Sequence, residues 1–271
     1  MDIKKITEAN RLAWNEVAPI HRKARKVNLT EEFRRKSYST LDEIVTSKLK
    51  ELSIEGKDVA QLCCNNGREV LSISNLGAGS AVGFDISDEA IKEARELADV
   101  SGLSCEFVRV DVYDIGDQYH EAFGLVFVSV GALSWLPDLA RFFGIVHNML
   151  RKDGIVVIYE HHPFLYVLAT EDDDEFDAKD PLKVAFSYFR KEPWISETGV
   201  DYIGKSKYKA KANYSYTQTM SDIMNSMIEN GISIIELVEY PHDISEEFHH
   251  LEKLEKKLPL CYILVGRKTS I

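Results

Sequence analysis

A chain of 271 residues, 45% hydrophobic and 28% charged, has the composition of a globular protein and length enough for one substantial core with a small appendage. The formal net charge of -11, from 33 Lys and Arg against 44 Asp and Glu, repels polyanions, so nucleic acid is not the expected partner. Four cysteines are too few for a disulfide scaffold, the adjacent pair Cys63 and Cys64 lacks metal or redox spacing, and no apolar run reaches membrane-spanning length. The expectations are therefore no metal, no membrane contact and a cytoplasmic location, the N-terminus having no apolar leader core.

Residues 1–57 read as a helical extension. Ile6, Leu12, Ala13, Val17 and Ile20 recur at roughly helical intervals, and Leu41, Ile44, Val45 and Leu49 form a second apolar face. The charged bridge between them, around residues 21–40, reads as solvated surface.

From Asp58 to residue 163 strands alternate with helices. The short apolar run Val59–Cys64 ends in Asn65-Asn66-Gly67, as a buried parallel strand turning into a helix does. Arg68–Leu76 supplies that helix, Ala81–Phe84 the second strand, and Ser87 caps a helix whose buried stripe is Ala90, Ile91, Ala94, Leu97 and Ala98. Phe107–Val110, Leu125–Val130 and Gly154–Tyr159 are the third, fourth and fifth strands. A helix carrying Leu139, Phe142, Phe143, Val146 and Leu150 separates the last two.

Such alternation implies right-handed crossovers and a doubly wound, mostly parallel α/β sheet. Residues 164–218 interrupt it with an acidic run at 171–175 and many aromatics. They read as a lid of short strands and loops over the carboxyl edge of the sheet, with a satellite core of its own. Residues 219–271 complete the sheet: a helix over Ser221–Asn230 capped by Ser221, then strands at Ser233–Tyr240 and Leu260–Val265. Only an abbreviated helix fits between those strands, so the last is expected to be antiparallel.

In an open α/β sheet, ligands bind beyond the carboxyl ends of the strands. Gly67 admits close backbone approach there, Asp85 ends the second strand and Asp111 the third. A carboxylate at Asp85 suits the two hydroxyls of a ribose. Asp111, with the amides around Val112 and Tyr113, suits the edge of an adenine. The loop is not the GxGxxG of a dinucleotide site, and Glu69 at the start of the next helix would repel a pyrophosphate.

Gln61-Leu62-Cys63-Cys64-Asn65-Asn66-Gly67, Gly83-Phe84-Asp85-Ile86-Ser87, Val110-Asp111-Val112 and Leu125-Val126-Phe127-Val128-Ser129 together resemble the ordered motifs of the class I S-adenosylmethionine-dependent methyltransferases of small-molecule type. Trp135-Leu136-Pro137-Asp138-Leu139, Leu150–Gly154, the opening Asn10–Trp14 and Glu160-His161-His162-Pro163 extend the likeness over essentially the whole chain. The resemblance implies a Rossmann-like seven-stranded sheet with an antiparallel last strand and S-adenosyl-L-methionine as cofactor. It also implies contacts from Leu62, Cys63, Gly67, Asp85, Ile86, Asp111 and Val112, with Ser129 beside the methionyl part and Trp14 and His21 closing over it. Gln61 stands where the family has an acid, and Cys63 and Asn65 where it has glycines.

The implied reaction is methyl transfer to a small-molecule acceptor. If the nucleophile begins protonated a base helps, and His162, just beyond the fifth strand, is the leading candidate, ahead of His161 and Glu160. Two other readings stay open: a noncatalytic protein that binds the cofactor, and an NAD-linked oxidoreductase. Monomer and homodimer are equally compatible with the sequence.

Overall fold

The computed structural model describes residues 2–245 and 247–269. The chain opens with α1 (Ile3–Ala24), whose first turn is capped by the Asp2 carboxylate accepting from the Lys4 backbone N–H. Its buried face is Ile6, Thr7, Asn10, Ala13, Val17 and His21, half of it polar. That mixture has a cause: α1 lies across the end of the sheet, where polar groups of other elements await partners. Two short helices follow, α2 (Leu29–Phe33) and α3 (Glu43–Glu51), the latter capped by Asp42.

The alternating core then runs β1 (Asp58–Leu62), α4 (Arg68–Asn75), β2 (Ser80–Asp85), α5 (Asp88–Ser101), β3 (Cys105–Arg109), β4 (Phe123–Val128), α6 (Leu139–Met149) and β5 (Leu150–His161). A small two-stranded sheet, β6 (Trp194–Ser196) with β7 (Asn213–Ser215), interrupts it. The chain finishes with α7 (Met220–Glu229), β8 (Ile232–Tyr240), α8 (His249–Glu252) and β9 (Cys261–Lys268).

The seven strands lie in the order β3-β2-β1-β4-β5-β9-β8. Strands β1 to β5 pair in parallel, and β9 is antiparallel to both β5 and β8. The expected last strand is therefore antiparallel, as the residues between β8 and β9 require. Apart from Glu246, which lies outside the described residues, that stretch has room only for the four-residue α8.

Alternation along the strands builds a two-sided core. Val126, Val128, Val156, Ile158 and Leu264 face Phe142, Phe143 and Val146 of α6 and Ile223 and Met227 of α7. Leu125, Phe127, Ile155, Val157 and Ile263 face Val45 and Leu49 of α3. Fully burying such side chains contributes about 1.5–3 kcal/mol each.

Several boundaries differ from the sequence reading. β3 begins at Cys105, because at the sheet edge its polar residues Glu106 and Arg109 face solvent without disrupting it. β4 ends at Val128, and Ser129 and Val130 already belong to the loop that turns at Gly131, where φ is +85°. β5 starts at Leu150, well before Gly154. The α7 cap is Thr219 rather than Ser221: its side chain accepts from Asp222 N–H while the Asp222 carboxylate accepts from Thr219, a reciprocal pair that starts the helix one residue earlier.

Within residues 164–218, Phe164, Leu165, Val167, Leu168 and Tyr188 share a satellite core with Phe248, Leu251 and Leu260. The part holding β6 and β7 instead reaches the carboxyl edge of the main sheet: Asn10 exchanges two hydrogen bonds with the Tyr214 backbone at 2.9 and 2.7 Å, and Tyr216 N–H donates to the Ser134 carbonyl at 2.7 Å. Among the described residues no helix is long and apolar enough to cross a membrane.

Candidate functional site

The strand order reverses between β1 and β4, so the turn after β1 opens into the crevice at that switch. Cys63 and Asn65, the residues standing where the family has glycines, keep left-handed backbones, with φ of +56° and +48°, and Gly67 follows at +72°. For a residue with a Cβ that conformation costs about 1–2 kcal/mol, least for Asn. A dense set of hydrogen bonds holds it: Cys64 N–H to Phe84 O at 3.0 Å, Gly67 N–H to Cys64 O at 2.9 Å and Asn65 N–H to the Asp85 carboxylate at 2.8 Å. The glycine shape of the loop survives without the glycines.

Asp85 stands at the end of β2 with one oxygen on Asn65 N–H and the other on Ser87 N–H, each at 2.8 Å. Burial pushes its carboxyl pKa up, and those backbone donors pull it back. Each oxygen keeps acceptor capacity for a ligand hydroxyl. Asp111 is more occupied. It accepts from Tyr113 N–H at 3.0 Å and from the Thr7 hydroxyl at 2.7 Å, with the Lys4 ammonium 3.4 Å away. This carboxylate fastens α1 to the sheet edge, which leaves the backbone at Val112 as the freer group beside it.

Burial, and then the charges of Asp85, Asp111 and Glu160, push the pKa of the Cys63 thiol up. Such a thiol is inert as a nucleophile. The same charges disfavour a phosphate and favour a cation. Leu62 is fully buried in the sheet core, so only its backbone can serve the site, while Ile86 is half-buried at the rim.

Over this loop lies an aromatic cover. Trp14 of α1 meets Trp135 edge-on at 5.2 Å between ring centroids, and His21 meets Tyr202 at 4.4 Å. His21 is buried, 3.2 Å from the Val200 carbonyl and 3.5 Å from Asp201, and burial pulls its pKa down to about 4 despite that carboxylate. The imidazole is neutral at pH 7. Because the unfolded chain takes up a proton below about 6.5 that the folded site refuses, this residue subtracts stability as pH falls from about 6.5 toward 4. Replacing His21 with Gln is expected to make unfolding free energy less pH-dependent by roughly 2 kcal/mol between pH 6.5 and 4.5. Denaturant titrations at both pH values measure this, and parallel slopes for the two proteins would contradict it.

At the inner wall, Gln61 takes the place of an acid. Its side-chain NH2 donates to Glu69 at 2.5 Å and to the Ser129 hydroxyl at 3.0 Å, and its carbonyl oxygen is buried without a partner. An orphaned acceptor of this kind costs about 1–3 kcal/mol unless a ligand donor meets it. The wall therefore suits a donor such as an ammonium.

His162 does not join this group as a free base. Its Nδ1 accepts from Phe164 N–H at 3.1 Å, capping a 3-10 turn, and its Nε2 lies 2.9 Å from Glu239. With the acceptor nitrogen filled, no lone pair is left for a substrate proton, and desolvation lowers its pKa. The expectation of a general base at His162 is thus corrected to a local cap.

Glu160, ranked behind His162 in the sequence, is the inward group. It accepts from Gly131 N–H at 2.6 Å, Leu133 N–H at 3.3 Å and His161 N–H at 3.0 Å, pinning the loop after β4. Burial pushes its carboxyl pKa up. Sequence reading also missed Tyr202, Thr7 and Asn10. The signal for the last two was available: Thr7, Asn10, Trp14 and His21 recur on one flank of α1. The basic stretch at the end of α1 and just after it lines a surface groove of about 500 Å3, where Arg22 is ion-paired with Glu96 and Arg25 with Glu93.

A family model described as a methyltransferase domain matches residues 59–154. The ribosomal protein L11 methyltransferase of Klebsiella pneumoniae (strain 342) is 28% identical over 151 residues, covering 55% of this chain and 46% of that protein. The tRNA U34 carboxymethyltransferase of Campylobacter hominis is 29% identical over 144 residues, covering 51% and 46%. The chain thus spans just under half the length of these curated relatives. Among solved structures, the 1,6-didemethyltoxoflavin-N1-methyltransferase of Burkholderia thailandensis superposes with a TM-score of 0.59 at 13% identity, covering 100% of this chain and 92% of that one. The magnesium protoporphyrin IX methyltransferase of Synechocystis PCC 6803 gives 0.58 at 15%, covering 99% and 100%. The chain has the class I S-adenosylmethionine-dependent methyltransferase fold, and the matching methyltransferase-domain model covers residues 59–154 of it.

Proposed function

We propose that this protein transfers a methyl group from S-adenosyl-L-methionine to a small-molecule acceptor. The observation that carries the reading is the Asp85 carboxylate facing a left-handed Cys63–Gly67 turn at the switch point of the sheet, beneath the Trp14 helix. When bound, the cofactor supplies a methyl already activated on a sulfonium. The chain's own residues then have to bind, align and exclude water.

Asp85 accepts the ribose hydroxyls. Ile86 and Val112 border the adenine, with Asp111 fixing the helix that covers it. The backbone of Leu62 and Cys63 and the Ser129 side chain hold the methionyl end, and the carboxylates around Cys63 suit a net-positive ligand better than a dinucleotide. Trp14 and His21, with Trp135 and the half-exposed Tyr202, form an aromatic cover that suits a planar or partly apolar acceptor. Two structural relatives named above carry the names of planar heterocyclic acceptors, in keeping with that choice. No side chain is assigned as a base, since alignment alone serves an acceptor that is already nucleophilic.

The relatives also include enzymes named for a ribosomal protein and a tRNA. The net charge of -11 weighs against an RNA acceptor. Localisation in the cytoplasm and action as a monomer or homodimer complete the proposal. Incubating the protein with methyl-labelled S-adenosylmethionine and a metabolite, protein and RNA extract tests it. Label is expected in the small-molecule fraction; label confined to protein or RNA, or none transferred, would overturn the reading.

A further inference from the structure

The methyltransferase reading leaves one charge unassigned. A methionyl ammonium needs an anionic neighbour, and the strand position that carries an acid in the resembling family is Gln61 here. Glu69, in the first turn of α4, lies eight residues further on, with its carboxylate 2.5 Å from the Gln61 side-chain nitrogen. The same Gln61 amide reaches Ser129 at 3.0 Å, so Glu69, Gln61 and Ser129 form one hydrogen-bonded row along the inner wall.

Two details show that the row is incomplete as it stands. The Gln61 carbonyl oxygen, on a residue 1% exposed, has no partner, although the amide beside it is doubly engaged. Among the described residues Glu69 enters no ion pair, although Arg68 is its chain neighbour; its one side-chain partner is the Gln61 amide. An acceptor oxygen and a carboxylate oriented by the same amide make a site for a group that donates several hydrogen bonds and carries positive charge.

We infer that the Glu69–Gln61 pair replaces the missing strand acid and binds the ammonium of the cofactor's amino-acid end, with the charge supplied from α4 and the aim supplied by β1. This rests on the cofactor reading. The amide turns its two donors to Glu69 and Ser129, which leaves its oxygen as the one open acceptor of the row and holds the carboxylate against the wall. A Gln at position 61 is thus a relay for the displaced charge. Glu69 is also favoured electrostatically by the start of α4, and that role alone would affect helix stability without regard to the ligand.

Calorimetric titration separates the two. S-adenosylhomocysteine carries the ammonium, whereas 5′-methylthioadenosine carries the same nucleoside without it. For Glu69→Gln, affinity for S-adenosylhomocysteine should fall about 10-fold or more, while affinity for 5′-methylthioadenosine stays within about twofold. The double variant Gln61→Glu with Glu69→Gln, which returns the acid to the strand, should recover most of the loss. Equal losses for both ligands would assign Glu69 to loop or helix structure and overturn the inference, as would no loss for either. If the wild type binds 5′-methylthioadenosine and S-adenosylhomocysteine equally well, the ammonium has no partner and the inference fails while the cofactor reading stands. If it binds neither, the cofactor reading fails and takes the inference with it.

Discussion

Gly67→Ala should lower the melting temperature by roughly 10 °C, from about 3 kcal/mol of lost stability. Two costs add. The residue sits at φ +72°, which an L side chain adopts at about 1–2 kcal/mol. A Cβ there would also stand 2.3 Å from Phe107 Cε1 and 2.9 Å from the Ala94 Cβ, overpacking that costs about 1–3 kcal/mol in a core. Gly56 supplies the control, with φ +74° and nothing within 4 Å of a Cβ, so Gly56→Ala should show only the first cost. Thermal unfolding of the two variants measures the difference. Equal shifts would mean that Phe107 yields and that close packing does not hold the turn.

The contrast within this turn explains what the sequence could convey. Gly67 is a glycine because both its conformation and its surroundings demand one. Cys63 and Asn65 meet the conformational demand alone, and the bonds from Cys64 and Asn65 to β2 absorb it. Read as letters, those two positions look like a damaged motif. In three dimensions they carry the glycine conformation with side chains attached.

Strand and helix identities were legible because burial imposes a period, as along Val126 and Val128 or Ala90, Ile91 and Ala94. Boundaries were less so where polar residues sit on an edge, as in β3, or where a capping pair such as Thr219 and Asp222 competes with a nearby serine. Asp85 was legible as a strand-ending carboxylate because it closes β2, the neighbour of β1 beside the switch point. His162 was misjudged for a reason that no linear reading supplies: its two ring nitrogens are taken by Phe164 and by Glu239, 77 positions on from it. Glu160 and Tyr202 gain their places only when the fold brings the loop after β4 against the end of β5 and residues 200–202 against α1.

The second large effect belongs to Asp85. Under the proposed function, Asp85→Ala would delete two hydrogen bonds from ribose hydroxyls to a charged acceptor, together worth about 3 kcal/mol, or roughly 100-fold in affinity. Asp85→Asn keeps an acceptor oxygen without the charge and should lose roughly 10-fold. Both variants also loosen the bonds to Asn65 and Ser87, so the titrations belong well below the melting temperature of each.

The most direct test of the account is calorimetric titration of the wild type and Asp85→Ala with S-adenosylhomocysteine, alongside a reduced nicotinamide dinucleotide. Saturable binding of S-adenosylhomocysteine by the wild type, weakened roughly 100-fold by the substitution, with no binding of the dinucleotide, is the predicted result. Saturable dinucleotide binding, or wild-type indifference to S-adenosylhomocysteine at millimolar concentration, would contradict it.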